Sequence, residues 1–254
     1  MTRIAGAGAE AGRFPGRDGR ELVYREIGDG RPLVLLHGFT ATGTQWVDHG
    51  PAAGIAGRRV IVPDLRGHGD SAHPDDPAAY PPDVLVDDGL ALIDHLGLDD
   101  YDLGGYSLGA RVVLRMLVRG ARPARAIVAG QGLDAVTRAT GGDNRVLTAL
   151  ANGDTIPPGS PDAASAHWIR LSGNDPRALL HVLNALVPTP RAALTQVTTP
   201  TLVAVGDRDT GQASADALAA TLADARFTRV PGDHFTALGA PEFATAIVDF
   251  LIEP

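Results

Sequence analysis

A serine framed by two glycines, Gly105-Tyr106-Ser107-Leu108-Gly109, constrains this chain more than any other stretch of its 254 residues. A strand-like apolar run leads into it and an apolar helical run, 111–118, leads out. A serine at a strand-to-helix junction must sit on a turn so tight that its own backbone is strained. A side chain at either flanking position would strike the neighbouring strand or helix, which is why both are glycine. On such a turn the hydroxyl stands clear at the top of a sheet. The N–H of Leu108 then lies at a helix start, ready to stabilise an oxyanion. The five-residue pattern is common by itself; its place between a strand and a helix makes it a nucleophile elbow.

The rest of the chain supplies the sheet that this turn needs. Short β-branched or leucine-rich runs at 21–27, 32–37, 60–63, 101–105, 126–129, 201–205 and 226–230 alternate with helical patterns at 44–53, 83–96, 108–118, 214–223 and 241–251. The alternation predicts βαβ units and a mostly parallel sheet. Ser107 follows a central strand, at the carboxyl ends where open sheets bind ligands. Between 134 and 196 no strand pattern is visible, and helical pieces stand at 161–171 and 174–187, the second opened by Asn174, Asp175 and Pro176. The expected organisation is a core of residues 1–133 and 197–254, with a helical lid at 134–196 over the site.

Composition narrows the chemistry. The chain has no cysteine, which excludes thiol nucleophiles, disulfides and thiolate metal sites, and every one of its 22 basic residues is arginine. Without lysine there is no Schiff base, no lysine-anchored cofactor and no Gly-Lys-Ser/Thr phosphate loop. A net charge of −8 disfavours nucleic acid as a partner, and Arg119, Arg122 and Arg125 read as a solvated helix end. No apolar run reaches the 18 or so residues of a membrane span, and residues 1–13 lack the apolar core of a signal peptide, so a cytoplasmic protein is expected. The stretch from Gly6 to Gly12 does not match the dinucleotide fingerprint and follows no strand; it is expected to be a flexible N-terminal segment. No histidine pair has metal-ligand spacing, and neither metal nor cofactor is expected.

A serine hydroxyl needs a base, and the base needs an orienting acid. In a fold of this kind the chain order is serine, acid, histidine. Of the eight histidines only His167, His181 and His234 follow Ser107, and His234 lies between the last strand pattern and the terminal helix, where the base belongs. The acid is sought in Val205-Gly206-Asp207-Arg208-Asp209. A residue immediately after a strand tends to be tied up in the turn, whereas one or two positions later it can reach the imidazole, which favours Asp209 over Asp207. Asp134 is a distant third, and Asp233 reads as a solvated loop charge. The second oxyanion donor is expected from the N–H of Phe39, after Leu35-Leu36-His37-Gly38, to pair with that of Leu108. His37 is then a turn-stabilising residue.

The set Leu36-His37-Gly38-Phe39, Asp64-Leu65-Arg66-Gly67-His68-Gly69-Asp70-Ser71, Gly105-Tyr106-Ser107-Leu108-Gly109, Gly206-x-x-Asp209 and Gly232-Asp233-His234 resembles the α/β-hydrolase superfamily, from about residue 20 to the C-terminus. The resemblance implies an eight-stranded, mostly parallel sheet with helices on both faces, a Ser-Asp-His triad and a helical cap after the sixth strand. It puts the triad acid at the Gly-x-x-Asp position and makes the His68 segment a structural loop. Serine at 107 departs from the haloalkane dehalogenase and epoxide hydrolase branches, which use aspartate there.

These readings lead to a serine esterase that cleaves a small or medium carboxylic ester through an acyl-enzyme. Trp168, Arg170, Arg177 and His181 are candidate lid residues for the pocket. Arg111, four residues after Ser107, is a further candidate for substrate binding, because the same serine-plus-four arginine occurs in proteins resembling the menaquinone-pathway lyase. A lyase or C–C hydrolase acting on a carboxylated metabolite is therefore the alternative, and a slow-turnover ligand receptor a second one.

Overall fold

The computed structural model describes residues 10–138 and 144–252. Eight strands, β1 (Glu10–Pro15), β2 (Glu21–Ile27), β3 (Arg31–Leu36), β4 (Arg58–Pro63), β5 (Asp102–Tyr106), β6 (Ala126–Ala129), β7 (Thr201–Gly206) and β8 (Ala225–Val230), form one sheet in the order β1-β2-β4-β3-β5-β6-β7-β8. Only the β1–β2 and β2–β4 pairings are antiparallel; every pairing from β4 to β8 is parallel. The helices are α1 (Gln45–Asp48), α2 (Val84–His95), α3 (Leu108–Val118), α4 (Leu133–Thr137), α5 (Arg145–Ala151), α6 (Ala163–Ser172), α7 (Pro176–Ala185), α8 (Arg191–Leu194), α9 (Ala215–Ala219) and α10 (Pro241–Ile252).

The period-2 alternation of the strands divides the core into two layers. Val34, Leu36, Leu103, Val128, Val203 and Val205 point to one face, where α2, α3 and α9 cover them. Leu33, Leu35, Val60, Ile127, Leu202 and Ala204 point to the other, against Trp46 of α1 and Phe243, Ile247 and Phe250 of α10. Helices α4 to α8 fill the connection between β6 and β7, and no strand lies among its described residues. Part of it has a small core of its own, Val146, Leu147, Ala166, Ile169 and Leu179. Helix α7 starts as its sequence implies: the Asp175 side chain accepts the Arg177 N–H at 2.8 Å, with Pro176 in the first turn.

Three expectations need correction. Residues 10–12, expected in a flexible segment, belong to β1; residues 6–9 lie outside the described residues. Gly12 stands opposite Tyr24, whose ring fills the space a side chain would take. The helix expected over 44–53 stops at Asp48 and resumes as a 3-10 turn at Ala52–Gly54, since the Gly50-Pro51 step interrupts the hydrogen-bond ladder. The helix expected over 214–223 shortens to α9.

One buried cation fixes the loop after β4. Arg66 is wholly buried; its Nε and Nη2 donate to Asp88 on α2 at 2.8 Å, and its Nη1 and Nη2 donate to Asp18 in the β1–β2 turn, also at 2.8 Å. Its hydrogen bonds hold the Asp18 carboxyl well below the usual carboxylate range. Replacing Arg66 by Met should cost about 3–5 kcal/mol, because Asp88 is then a buried charge without its partner; urea unfolding measures it. The depressed Asp18 pKa adds a pH signature. The stability that wild type holds over Asp18→Asn should be fully present above pH ~4, the ordinary carboxylate value, and fade as pH falls below it toward Asp18's native value. Paired unfolding curves from pH 7 downward give the difference.

Candidate active site

Strand β5 hands the chain to α3 through Ser107, whose backbone sits at φ 53°, ψ −111°. That is a costly conformation for a residue with a side chain. Its N–H donates to the Ala129 carbonyl at 2.8 Å, and the Gly109 N–H donates to the His37 carbonyl at 3.0 Å. A Cβ on Gly105 would overlap the Gly109 backbone, and one on Gly109 would overlap Leu36 and His37. The two glycines let β5, α3 and the end of β3 converge on one point.

Loops from the carboxyl ends of β7 and β8 reach the same point. His234 Nε2 lies 2.9 Å from Ser107 Oγ, and its Nδ1 lies 2.6 Å from Asp209 Oδ2. Asp209 is buried, and the His234 side chain is partly open to solvent. The Tyr106 hydroxyl donates to the His234 carbonyl at 2.9 Å, anchoring the loop that carries the imidazole; nothing in the sequence marked that role.

The other acids are placed elsewhere. Asp207 Oδ1 accepts the Gly232 N–H at 2.9 Å, tying the β7 loop to the β8 loop. Asp233 accepts the N–H groups of Phe235 and Thr236, both at 3.0 Å, and these bonds together with the Thr236 hydroxyl hold its pKa down. Asp134 lies on α4, where its N–H donates to Ser214 Oγ.

The loop after β3 lies beside Ser107: a Cβ on Gly38 would stand 3.6 Å from Ser107 Cβ. Gln45 holds this loop through its Oε1, which accepts the Gly38 N–H at 2.9 Å, and Thr40 takes a left-handed φ of 63°. The N–H groups of Phe39 and Leu108 donate to no protein acceptor among the described residues. His37 is buried, with Nδ1–H donating to the Gly38 carbonyl and Nε2 accepting the Leu65 N–H. Burial lowers its pKa. Burial and the neighbouring His37 also push buried His68 down to about 3. Its ring packs edge-on against His37 and Phe39.

A cavity of about 760 Å³ opens over Ser107 and His234, a size suited to a small organic ligand. Phe39, Val146, Ile169, Leu180 and Leu183 give it apolar walls, and Trp168 and Phe235 also line it. Its wall carries Arg145 and Asp162, paired with each other at 2.8 Å. Of the lid residues expected there, Trp168 lines the cavity. Arg177 Nε donates instead to the Ala151 carbonyl, and His181 stands 3.1 Å from the Asp75 carbonyl. Arg111 does not line it either. Its guanidinium is largely buried and donates to the carbonyls of Ala135 and Arg138 at 2.7 and 3.1 Å, turned to the root of the β6–β7 connection. Phe235, Arg145 and Asp162 were not singled out in the sequence.

Among the described residues no three His, Asp or Glu side chains are grouped as a metal site would need, and no helix is long and apolar enough to cross a membrane. Arg119 pairs with Asp83 and Asp87, and Arg125 lies over the Phe250 ring.

A family model described as alpha/beta hydrolase fold matches residues 31–132, from β3 to the end of β6 and just beyond. The chain is 39% identical over 103 residues to non-heme chloroperoxidase CPO-A1 of Kitasatospora aureofaciens, covering 41% of this chain and 37% of that protein. It is 34% identical over 137 residues to 2-hydroxymuconate semialdehyde hydrolase of Pseudomonas sp. (strain CF600), covering 46% and 48%. The matched stretch thus spans less than half of these relatives. A thermophilic esterase from Thermogutta terrifontis superposes with a TM-score of 0.74 at 26% identity, over 96% of this chain and 98% of that one. By sheet order, family match and structural likeness the chain has the α/β-hydrolase fold.

The elbow geometry yields its own test. Gly109→Ala has to push α3 off the end of β3, and a displacement of that kind at a reacting centre costs on the order of 100-fold in rate. The variant should show at least that loss with model esters, in protein whose circular dichroism reports the extent of unfolding.

Proposed function

We propose that this protein is a serine hydrolase that cleaves uncharged carboxylic esters of small or medium size through an acyl-enzyme. The observation that carries the reading is the unbroken relay Ser107–His234–Asp209, with both contacts at hydrogen-bond distance. Ser107 Oγ attacks the ester carbonyl carbon while His234 Nε2 takes its proton. The N–H groups of Phe39 and Leu108 receive the oxyanion, and Asp209 stabilises the imidazolium. As the intermediate collapses, the alcohol oxygen leaves with the bonding pair and takes the proton from Nε2. Water then attacks the acyl carbon as His234 Nε2 takes its proton, and Ser107 Oγ leaves with the bonding pair and takes that proton back, releasing the acid. Residues 134–196 act as the lid, whose small core packs against the Phe39 side chain.

Two features favour an uncharged ester over the carboxylated metabolite of the alternative reading. Arg111, the residue that suggested such a substrate, is committed to backbone carbonyls. Arg145 and Asp162, on the cavity wall, neutralise each other, so an anionic substrate would have to break their ion pair. No observation favours the receptor reading, since the relay is intact.

Ser107→Ala should abolish both p-nitrophenyl ester turnover and labelling by a fluorophosphonate probe. Asp209→Asn should lower kcat by about 10⁴-fold, as loss of the orienting acid does, while Asp207→Asn should stay within about 10-fold of wild type. Undiminished turnover in Ser107→Ala, or equal losses at 207 and 209, would overturn the assignments.

A further inference from the structure

The cavity wall nearest the proposed base is built from two flat rings. Trp168 of α6 and Phe235, the residue after His234, stack with centroids 5.7 Å apart and planes only 6° from parallel. The Phe235 ring also meets the His234 imidazole edge-on at 5.8 Å. Both rings line the same cavity as Ser107, yet Trp168 is 54% and Phe235 73% exposed. Both are firmly placed. Ala166 and Ile169 bury the other side of α6 in the core of the β6–β7 connection. The Phe235 N–H donates to Asp233 Oδ1 at 3.0 Å, and the adjoining His234 carbonyl is held by Tyr106. Open aromatic faces on fixed supports at the edge of a cavity are a surface that lacks a partner.

Which part of a substrate meets that surface follows from the chemistry, on the reading that Ser107 is the nucleophile and His234 the base. The proton on His234 Nε2 must pass to the alcohol oxygen as the ester C–O bond breaks, so the alcohol side of the ester faces His234. Its substituent then extends toward Phe235 and Trp168. We infer that the Trp168–Phe235 pair is a leaving-group subsite that selects esters of aryl-bearing alcohols, benzyl esters being the simplest class. An aromatic ring there gains stacked or edge-to-face contacts that a saturated ring of the same size lacks.

The test compares benzyl acetate with cyclohexylmethyl acetate, whose alcohols have similar basicity and size. Wild type should favour benzyl acetate by about 3- to 10-fold in kcat/KM, the range that aromatic pairing supplies. The ratio should fall toward about 1 in Trp168→Leu, which keeps apolar bulk without a ring, and return in Trp168→Phe. A parallel pair that differs only on the acyl side, methyl phenylacetate and methyl cyclohexylacetate, should give a ratio that Trp168→Leu leaves unchanged. Equal wild-type rates for the two acetates, with Ser107 still labelled by a fluorophosphonate, would overturn the subsite and leave the hydrolase reading standing. So would a preference that survives in Trp168→Leu. Failure of every ester together with failure of labelling would remove both readings.

Discussion

Everything around the proposed active site depends on one backbone conformation. Ser107 holds φ 53°, ψ −111° without being glycine, a state that costs roughly 1–3 kcal/mol and persists only where the surroundings over-determine it. Those surroundings belong to the fully buried middle of the sheet. β5 is buried along its whole length between β3 and β6, and the turn is bonded to both neighbours, through Ser107 to Ala129 and through Gly109 to His37. The stability of two hydrophobic layers is thus concentrated on keeping one hydroxyl raised above the sheet. The loops after β3, β7 and β8 need only short reaches to bring Phe39, Asp209 and His234 to it, because parallel strands deliver their carboxyl ends to the same edge.

The connection between β6 and β7 is attached to this platform by a buried arginine. Arg111 stands one helical turn beyond Ser107 and bonds the carbonyls of Ala135 and Arg138. Among the described residues its hydrogen bonds run to backbone carbonyls, and burial pushes its pKa down. Carbonyls at the end of a short helix are suitable acceptors for a cation, since the partial negative charge of the helix collects there. The residue that sequence spacing offered for substrate recognition therefore ties the root of the β6–β7 connection to α3.

Legibility in the sequence follows the range of the interaction concerned. The strands from β2 to β8 were legible to within two residues, those from β3 to β7 because a strand buried on both faces is a largely apolar run. β1 was not: it is an edge strand whose Gly12 gives up its side chain to make room for Tyr24, and the run Glu10-Ala11-Gly12-Arg13 carries no such signal. Residue order was enough to nominate Ser107, Asp209 and His234, because each closes a strand in a fixed succession. The cavity wall has no such order. Arg145 and Asp162 pair across 17 residues, and Trp168 meets Phe235 across 67 residues, between a helix of the β6–β7 connection and the loop after β8. Contacts across such separations leave no local period for a sequence pattern to reveal.

That separation of range is also a separation of tasks, and Phe39 is where the two meet. Its backbone N–H stands in the loop beside Ser107, while its side chain packs against both the main core and the small core of the β6–β7 connection. Behind it the His68 ring presses edge-on. Its pKa of about 3, held down by burial and the neighbouring His37, keeps this support uncharged near neutral pH. On the proposed mechanism, then, one oxyanion donor, Leu108, belongs to α3 and the main core, and the other, Phe39, belongs to a residue whose side chain packs against the helices that wall the cavity.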